Sequence, residues 1–248
     1  VPESTSRSPK PEGTRPRRIN RLVRLLGARS YLEVGVAGGA TFFAVDVANK
    51  VAVDPRFAFD VDARRGPGVE FHAVPSDTFF AGLDEQVTFD VIYLDGLHIF
   101  EQTYRDFTNA LAHSHPRTII MIDDTVPSSL YSAQRDRQAM QAERKQQGNT
   151  ELAWHGDIYK MLAAIHDFHP SYNYVTFSTG GAPQSMVWRS KGFARSPLFD
   201  SLEAVQRLDY WKMRTLPDMR RALPEPEAFA LLTADLTARG WPIDPAAG

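Results

Sequence analysis

Three aspartates at the ends of two apolar runs carry the most chemical information in this chain. Asp95 closes Phe89-Asp90-Val91-Ile92-Tyr93-Leu94, and the pair Asp123-Asp124 follows Thr118-Ile119-Ile120-Met121-Ile122. Both runs read as buried strands, so their carboxylates emerge at strand C-terminal ends, the edge of an open α/β sheet where ligands bind. Adjacent aspartates repel each other and resist burial unless a cation, hydrogen-bond donors or water compensate them. Oxygen ligands of this kind favour Mg²⁺, Ca²⁺ or Mn²⁺, with Mg²⁺ retaining waters for exchange with a substrate. Asp95, Asp123 and Asp124 are therefore the candidate metal ligands; the competing reading makes Asp124 a helix cap and turns Asp123 to water.

Upstream, Tyr31-Leu32-Glu33-Val34-Gly35-Val36-Ala37-Gly38-Gly39 runs from a strand into a glycine-rich turn, and Asp54 ends the next strand after Val51-Ala52-Val53. Glycines there permit positive φ and close approach of a ligand, while a following helix would offer N–H groups to negative charge. An acid about twenty residues beyond the first glycine suits ribose hydroxyls. The glycine spacing departs from the dinucleotide fingerprint, which makes a nicotinamide cofactor the weaker reading. Two histidines are candidate bases: His98, in Asp95-Gly96-Leu97-His98, and His155, in Trp154-His155-Gly156-Asp157. His98 reads equally well as a residue that orients Asp95 or caps a helix. Tyr131, Trp154 and Tyr159 offer stacking faces for a sugar, or core packing.

These residues need a sheet to position them. Strand signals at 31–35, 51–54, 70–74, 89–95 and 118–123 alternate with helix signals at 40–49, 77–83 and 100–113, which predicts a mostly parallel, doubly wound α/β sheet. Tyr172 to Ser178 and Gln184 to Arg189, joined by Thr179-Gly180-Gly181-Ala182-Pro183, predict a closing antiparallel hairpin. Residues 1–18, with four prolines among Arg, Lys, Ser and Thr, read as a flexible basic arm. Residues 19–190 form the core with a lid insertion at 126–152, and 191–248 a helical extension whose apolar stripes pack on the core or pair two subunits as a homodimer. A formal net charge of -2 gives no pull toward nucleic acid, and the chain has no cysteine, which excludes thiolate metal sites and Cys nucleophiles. With no apolar run long enough to span a bilayer, the expectation is a cytoplasmic protein with no membrane partner.

The turn Glu33-Val34-Gly35-Val36-Ala37-Gly38-Gly39 together with Asp54 resembles motif I and the acidic second strand of class I S-adenosylmethionine-dependent methyltransferases. The resemblance implies a Rossmann-like fold with a seven-stranded sheet. It assigns Glu33, Gly35, Gly38 and Asp54 to the cofactor, and Ser76 and Asp77 to its adenine. Asp95 with Asp123-Asp124 is similar to the acid set of metal-dependent sugar O-methyltransferases, including those that act on mycobacterial methylmannose polysaccharides. Some of those relatives carry a histidine two residues beyond the acid pair; here Val126 stands there, so the base must come from elsewhere, and Asp95, His98 and His155 are the candidates. The implied reaction is Mg²⁺- or Mn²⁺-assisted methylation of a sugar hydroxyl on a small-molecule or oligosaccharide acceptor. A catechol-type O-methyltransferase, and a noncatalytic RNA-associated protein using the basic arm, are the alternatives.

Overall fold

The computed structural model describes residues 13–191 and 195–244. Helix α1 (Thr14–Leu26) comes first; its Ile19, Leu22, Leu25 and Leu26 recur at helical spacing and are buried. Gly27 ends it at φ 59°, so that the N–H groups of Gly27 and Ala28 close back on the carbonyls of Arg24 and Val23. The basic arm expected to run to residue 18 is thus corrected at its end, since residues 14–18 are helical. Arg18 explains this: it is fully buried and donates to Glu225, to Gln184 Oε1 and to the carbonyls of Thr179 and Ala182. The remainder of that arm, residues 1–12, lies outside the described residues.

One sheet contains β1 (Ser30–Val34), β2 (Asn49–Val53), β3 (Val69–His72), β4 (Phe89–Leu94), β5 (Ser114–Ile122), β6 (Tyr172–Phe177), β7 (Ser185–Arg189) and β8 (Ala222–Leu223), in the order β3-β2-β1-β4-β5-β7-β6-β8. Strands β1 to β5 run parallel, while β7 is antiparallel to both β5 and β6, as the hairpin signal predicts. The eighth strand, against seven expected, comes from the segment read as purely helical. Its two residues pair in parallel with β6 and are too few to show a period-2 pattern. The fold is the α/β Rossmann-like class.

The remaining helices are α2 (Ser76–Ala81), α3 (Phe100–Ala112), α4 (Arg137–Gln146), α5 (Lys160–Phe168), α6 (Leu202–Gln206), α7 (Tyr210–Arg214), α8 (Pro217–Arg220) and α9 (Glu225–Ala238). Side chains alternate across the sheet. Leu32, Ile92, Ile120 and Ile122 join the core that holds Phe107 and Leu162, whereas Tyr31, Tyr93, Ile119 and Met121 join the core on the α1 side, with Trp188, Phe229 and Leu232. Phe229, Leu232 and Leu236 of α9 are spent inside this second core, each contributing about 1.5–3 kcal/mol by burial.

The helix expected at 40–49 is replaced by a single 3₁₀ turn, Phe42–Ala44. Its backbone groups are taken by side chains: Asn20 donates to Ala44 O and accepts from Asp46 N–H, and Lys50 Nζ donates to the carbonyls of Phe42 and Val45. Phe42 and Phe43 pack with Phe59 and Phe71 at ring separations of 4.9–6.4 Å, which holds the segment in this shape. No described helix is long and apolar enough to cross a membrane.

Candidate active site

Strand alternation decides where the acids point. Glu33, Asp95 and Asp123 follow Tyr31, Tyr93 and Met121 by two residues on β1, β4 and β5, so all three face the α1 side of the sheet. There Arg15, in the first turn of α1, forms an ion pair with Asp123, and its NH2 group lies 3.7 Å from Asp124. Asp124 departs from the alternation. At φ 58° it adopts the left-handed conformation that Asp tolerates better than most residues, and its carboxylate turns into the cavity.

Asp95, His98 and Asp124 each bring one ligating atom to a site where all three lie within 4.8 Å of one another. Of the three expected ligands, Asp95 and Asp124 belong to this cluster, while Asp123 lies outside it with its carboxylate held by Arg15. His98 stacks on Trp154 at 4.7 Å and 19°, and its Nδ1 lies 2.8 Å from Trp154 O, a carbonyl that can only accept. That contact assigns the proton to Nδ1 and leaves the Nε2 lone pair facing Asp95 Oδ1 at 3.7 Å. Gly156 makes the stack possible: at φ 59° it passes so close to His98 that a Cβ would sit 1.8 Å from His98 O. His155 lies 3.7 Å from Asp124 and is not among the residues that line the cavity; its Nδ1 is buried with no hydrogen-bond partner among the described residues.

Burial, reinforced by the Asp123 charge, raises the carboxyl of Asp95 to about 6 and that of Asp124 to about 7, against the opposing pull of His98 and Arg15. Burial also works against a charged His98, but the two carboxylates outweigh it and its pKa is raised. His155 is lowered by burial and by His98. Two buried carboxyls held this high, beside an Asp123 Oδ1 with no hydrogen-bond partner among the described residues, form an electrostatic deficit that a divalent cation would relieve. The oxygens of Asp95 and Asp124 fit Mg²⁺ or Mn²⁺, with waters to complete the coordination.

The cavity, about 760 Å³, lies where the strand order reverses between β1 and β4. Gly35, Gly38, Asp54, Ser76 and Asp77 all line it, as does Glu33. Gly35 stands at φ 88°, and a Cβ there would meet Asp95 O at 2.1 Å, so it is the passage of β1 beside the end of β4 that demands glycine. At Gly38 nothing lies within 4 Å of a Cβ. Asp54 organises the turn by accepting from Ala37 N–H at 2.8 Å and Arg56 N–H at 2.7 Å. Ser76 donates to Asp106 at 2.6 Å, while Asp77 accepts from Gln102 Nε2 at 3.1 Å. Glu33 is 2 % exposed and accepts from Tyr31 Oη at 2.6 Å; burial, with the charges of Asp95 and Asp123, raises it to about 8.

Arg15, which the sequence places in the basic arm, also lines the cavity, as do Gln102, Asp106, Arg137 and Leu152, which escaped the sequence reading. None sits in a glycine or acid-pair motif; Gln102 and Asp106 could have been found as an i, i+4 polar pair on one face of α3. The 126–152 segment contains the exposed helix expected of it, α4, and it is anchored. Arg135 pairs with Glu101 and Asp157 at 2.8 Å, and Trp154 Nε1 donates to Gln134 O at 2.7 Å.

Residues 32–125 match a family model described as a methyltransferase domain. No curated protein sequence matches the chain. Among solved structures, cofactor-bound Rv0187 from MTB is 15% identical over 74% of this chain and 83% of that chain, with a TM-score of 0.52. The O-methyltransferase from Bacillus cereus in complex with SAH is 19% identical over 75% of this chain and 82% of that one, at TM-score 0.48. The O-methyltransferase TomG from Streptomyces achromogenes, in complex with SAM, is 20% identical over 70% and 78%, at TM-score 0.49. At such identities the Rv0187 likeness speaks for the fold alone, and the domain match extends over residues 32–125. The chain thus has a Rossmann-like α/β fold, and its residues 32–125 are similar to a methyltransferase domain.

Proposed function

We propose that the chain is an S-adenosylmethionine-dependent, Mg²⁺-assisted O-methyltransferase that acts on a sugar hydroxyl of a saccharide or glycoside. The observation that carries this reading is the opening of the glycine turn and the Asp95–His98–Asp124 cluster into one cavity at the strand ends. On the donor side, Gly38 would give the cofactor room at the backbone, Gly35 would border it, and Asp54 would accept the ribose hydroxyls. Glu33 would serve the methionine portion, and Ser76 and Asp77 the adenine. On the acceptor side, Asp95 and Asp124 would hold the cation, which when bound lowers the pKa of the hydroxyl to be methylated. His98 accepts that hydroxyl's proton at Nε2, because its Nδ1 is committed to Trp154 O. Orientation of the hydroxyl toward the donor methyl supplies the rest of the acceleration.

A second reading has its own observation. Leu97 and Leu152, 53% and 93% exposed, flank the cavity and offer apolar surface to an aromatic diol, as a catechol-type enzyme would require. Radiolabel transfer from S-adenosylmethionine to a panel of methyl glycosides and catechols, with Mg²⁺ and with chelator, tests both. Labelled glycosides that vanish with chelator support the sugar reading, and labelled catechols alone favour the second. Calorimetry that detects no donor binding, or transfer indifferent to chelator, overturns the proposed mechanism.

A further inference from the structure

We infer that Arg137 is an acceptor-specificity residue, selecting an acceptor whose ring carries a carboxylate or phosphate across from the hydroxyl to be methylated. The inference rests on the O-methyltransferase reading of the same cavity and deepens it. Two arginines line that cavity, and they differ in how their charge is used. Arg15 is held by Asp123 and lies close to Asp124, so its charge is answered within the protein. Arg137 makes no ion pair among the described residues; its one recorded partner is the face of Trp154, 5.5 Å from the guanidinium.

Helix stability gives no reason for this arginine. It occupies the first position of α4, where the helix macrodipole is positive and a cation is disfavoured. An anion placed beside it would meet two like-signed sources at once, the guanidinium and the helix end. The residue is also held on a fixed mount. Asp136 caps α4 by accepting from Gln138 and Ala139 N–H, Trp154 Nε1 donates to Gln134 O, and the indole also stacks on His98 at 4.7 Å. The His98 ring and the Arg137 guanidinium thus share one indole as neighbour, at 4.7 and 5.5 Å from it. The two groups are therefore no farther apart than these two separations together, a reach that one substituted six-membered ring covers with its hydroxyl at His98 and its anionic group at Arg137.

The test compares 3,4-dihydroxybenzoate with its methyl ester, and glucuronate with methyl glucoside, by calorimetric titration in the presence of S-adenosylhomocysteine and Mg²⁺. The wild-type protein is expected to bind the acid of at least one pair about tenfold more tightly than its neutral counterpart. In Arg137→Gln that preference falls toward one, chiefly by weaker binding of the acid, and Arg137→Lys restores part of it. Equal binding of acid and neutral partner by the wild type, or a preference that survives in Arg137→Gln, overturns the inference, as does failure of both acids to bind. A loss of S-adenosylmethionine affinity in Arg137→Gln also overturns it, by assigning the arginine to the donor's carboxylate. Methyl transfer to a neutral hydroxyl acceptor under any of these outcomes leaves the O-methyltransferase reading standing.

Discussion

Replacing Glu33 with Gln should remove a large part of the protein's pH dependence of stability. Glu33 is almost wholly buried, and its carboxyl is raised from 4.5 to about 8, first by burial and then by the charges of Asp95 and Asp123. Between these two values the native chain holds a proton at Glu33 that the unfolded chain has released. Stability from this group is therefore fully present below about pH 4.5, falls as pH rises, and is gone above about pH 8. At about 1.36 kcal/mol per unit, the window corresponds to about 4–5 kcal/mol. Gln keeps an oxygen for the Tyr31 hydroxyl, 2.6 Å away in the wild type, and carries no charge at any pH. Urea unfolding of both proteins at intervals from pH 5 to pH 9, without donor or metal, gives the difference directly. The wild type should lose about 4 kcal/mol relative to Glu33→Gln across that range. Parallel profiles would refute the claim that this carboxyl is held neutral by its surroundings.

Three further outcomes are expected. Asp124→Asn should weaken Mn²⁺ binding by tenfold or more in calorimetry and abolish chelator-sensitive transfer, while S-adenosylmethionine affinity stays within about threefold, because Asp124 faces the cation cluster and not the glycine turn. Gly35→Ala should cost about 3 kcal/mol or more in urea unfolding, since a side chain at φ 88° is strained and its Cβ would press on Asp95 O; a loss below about 0.5 kcal/mol would show that β1 and β4 can part without penalty. Arg18→Met should lower stability by about 3 kcal/mol in thermal unfolding, because it leaves Gln184 Oε1 and the Thr179 and Ala182 carbonyls without their buried donor.

The strands and the acids at their ends were legible because apolar runs and alternation are local properties. Asp95, Asp123 and Asp124 sit at sheet ends as their runs predict, and the glycine turn with Asp54 lines the cavity. The 40–49 segment was misread for a reason of distance. Its helical signal is local, but Asn20 and Lys50 from neighbouring elements take its backbone groups, and aromatic rings from beyond residue 56 pack over it.

What the linear order of residues determined was the sheet, its hairpin and a cluster of carboxylates at its C-terminal edge. Tertiary structure alone decided how those carboxylates are divided. Alternation sends Asp123 to the face where α1 delivers Arg15, while the left-handed backbone at Asp124 sends its neighbour to the cavity. His98 joins Asp124 because Gly156 lets a distant segment bring Trp154 against its ring. Each of these partners is far away in the chain, and only folding makes them neighbours.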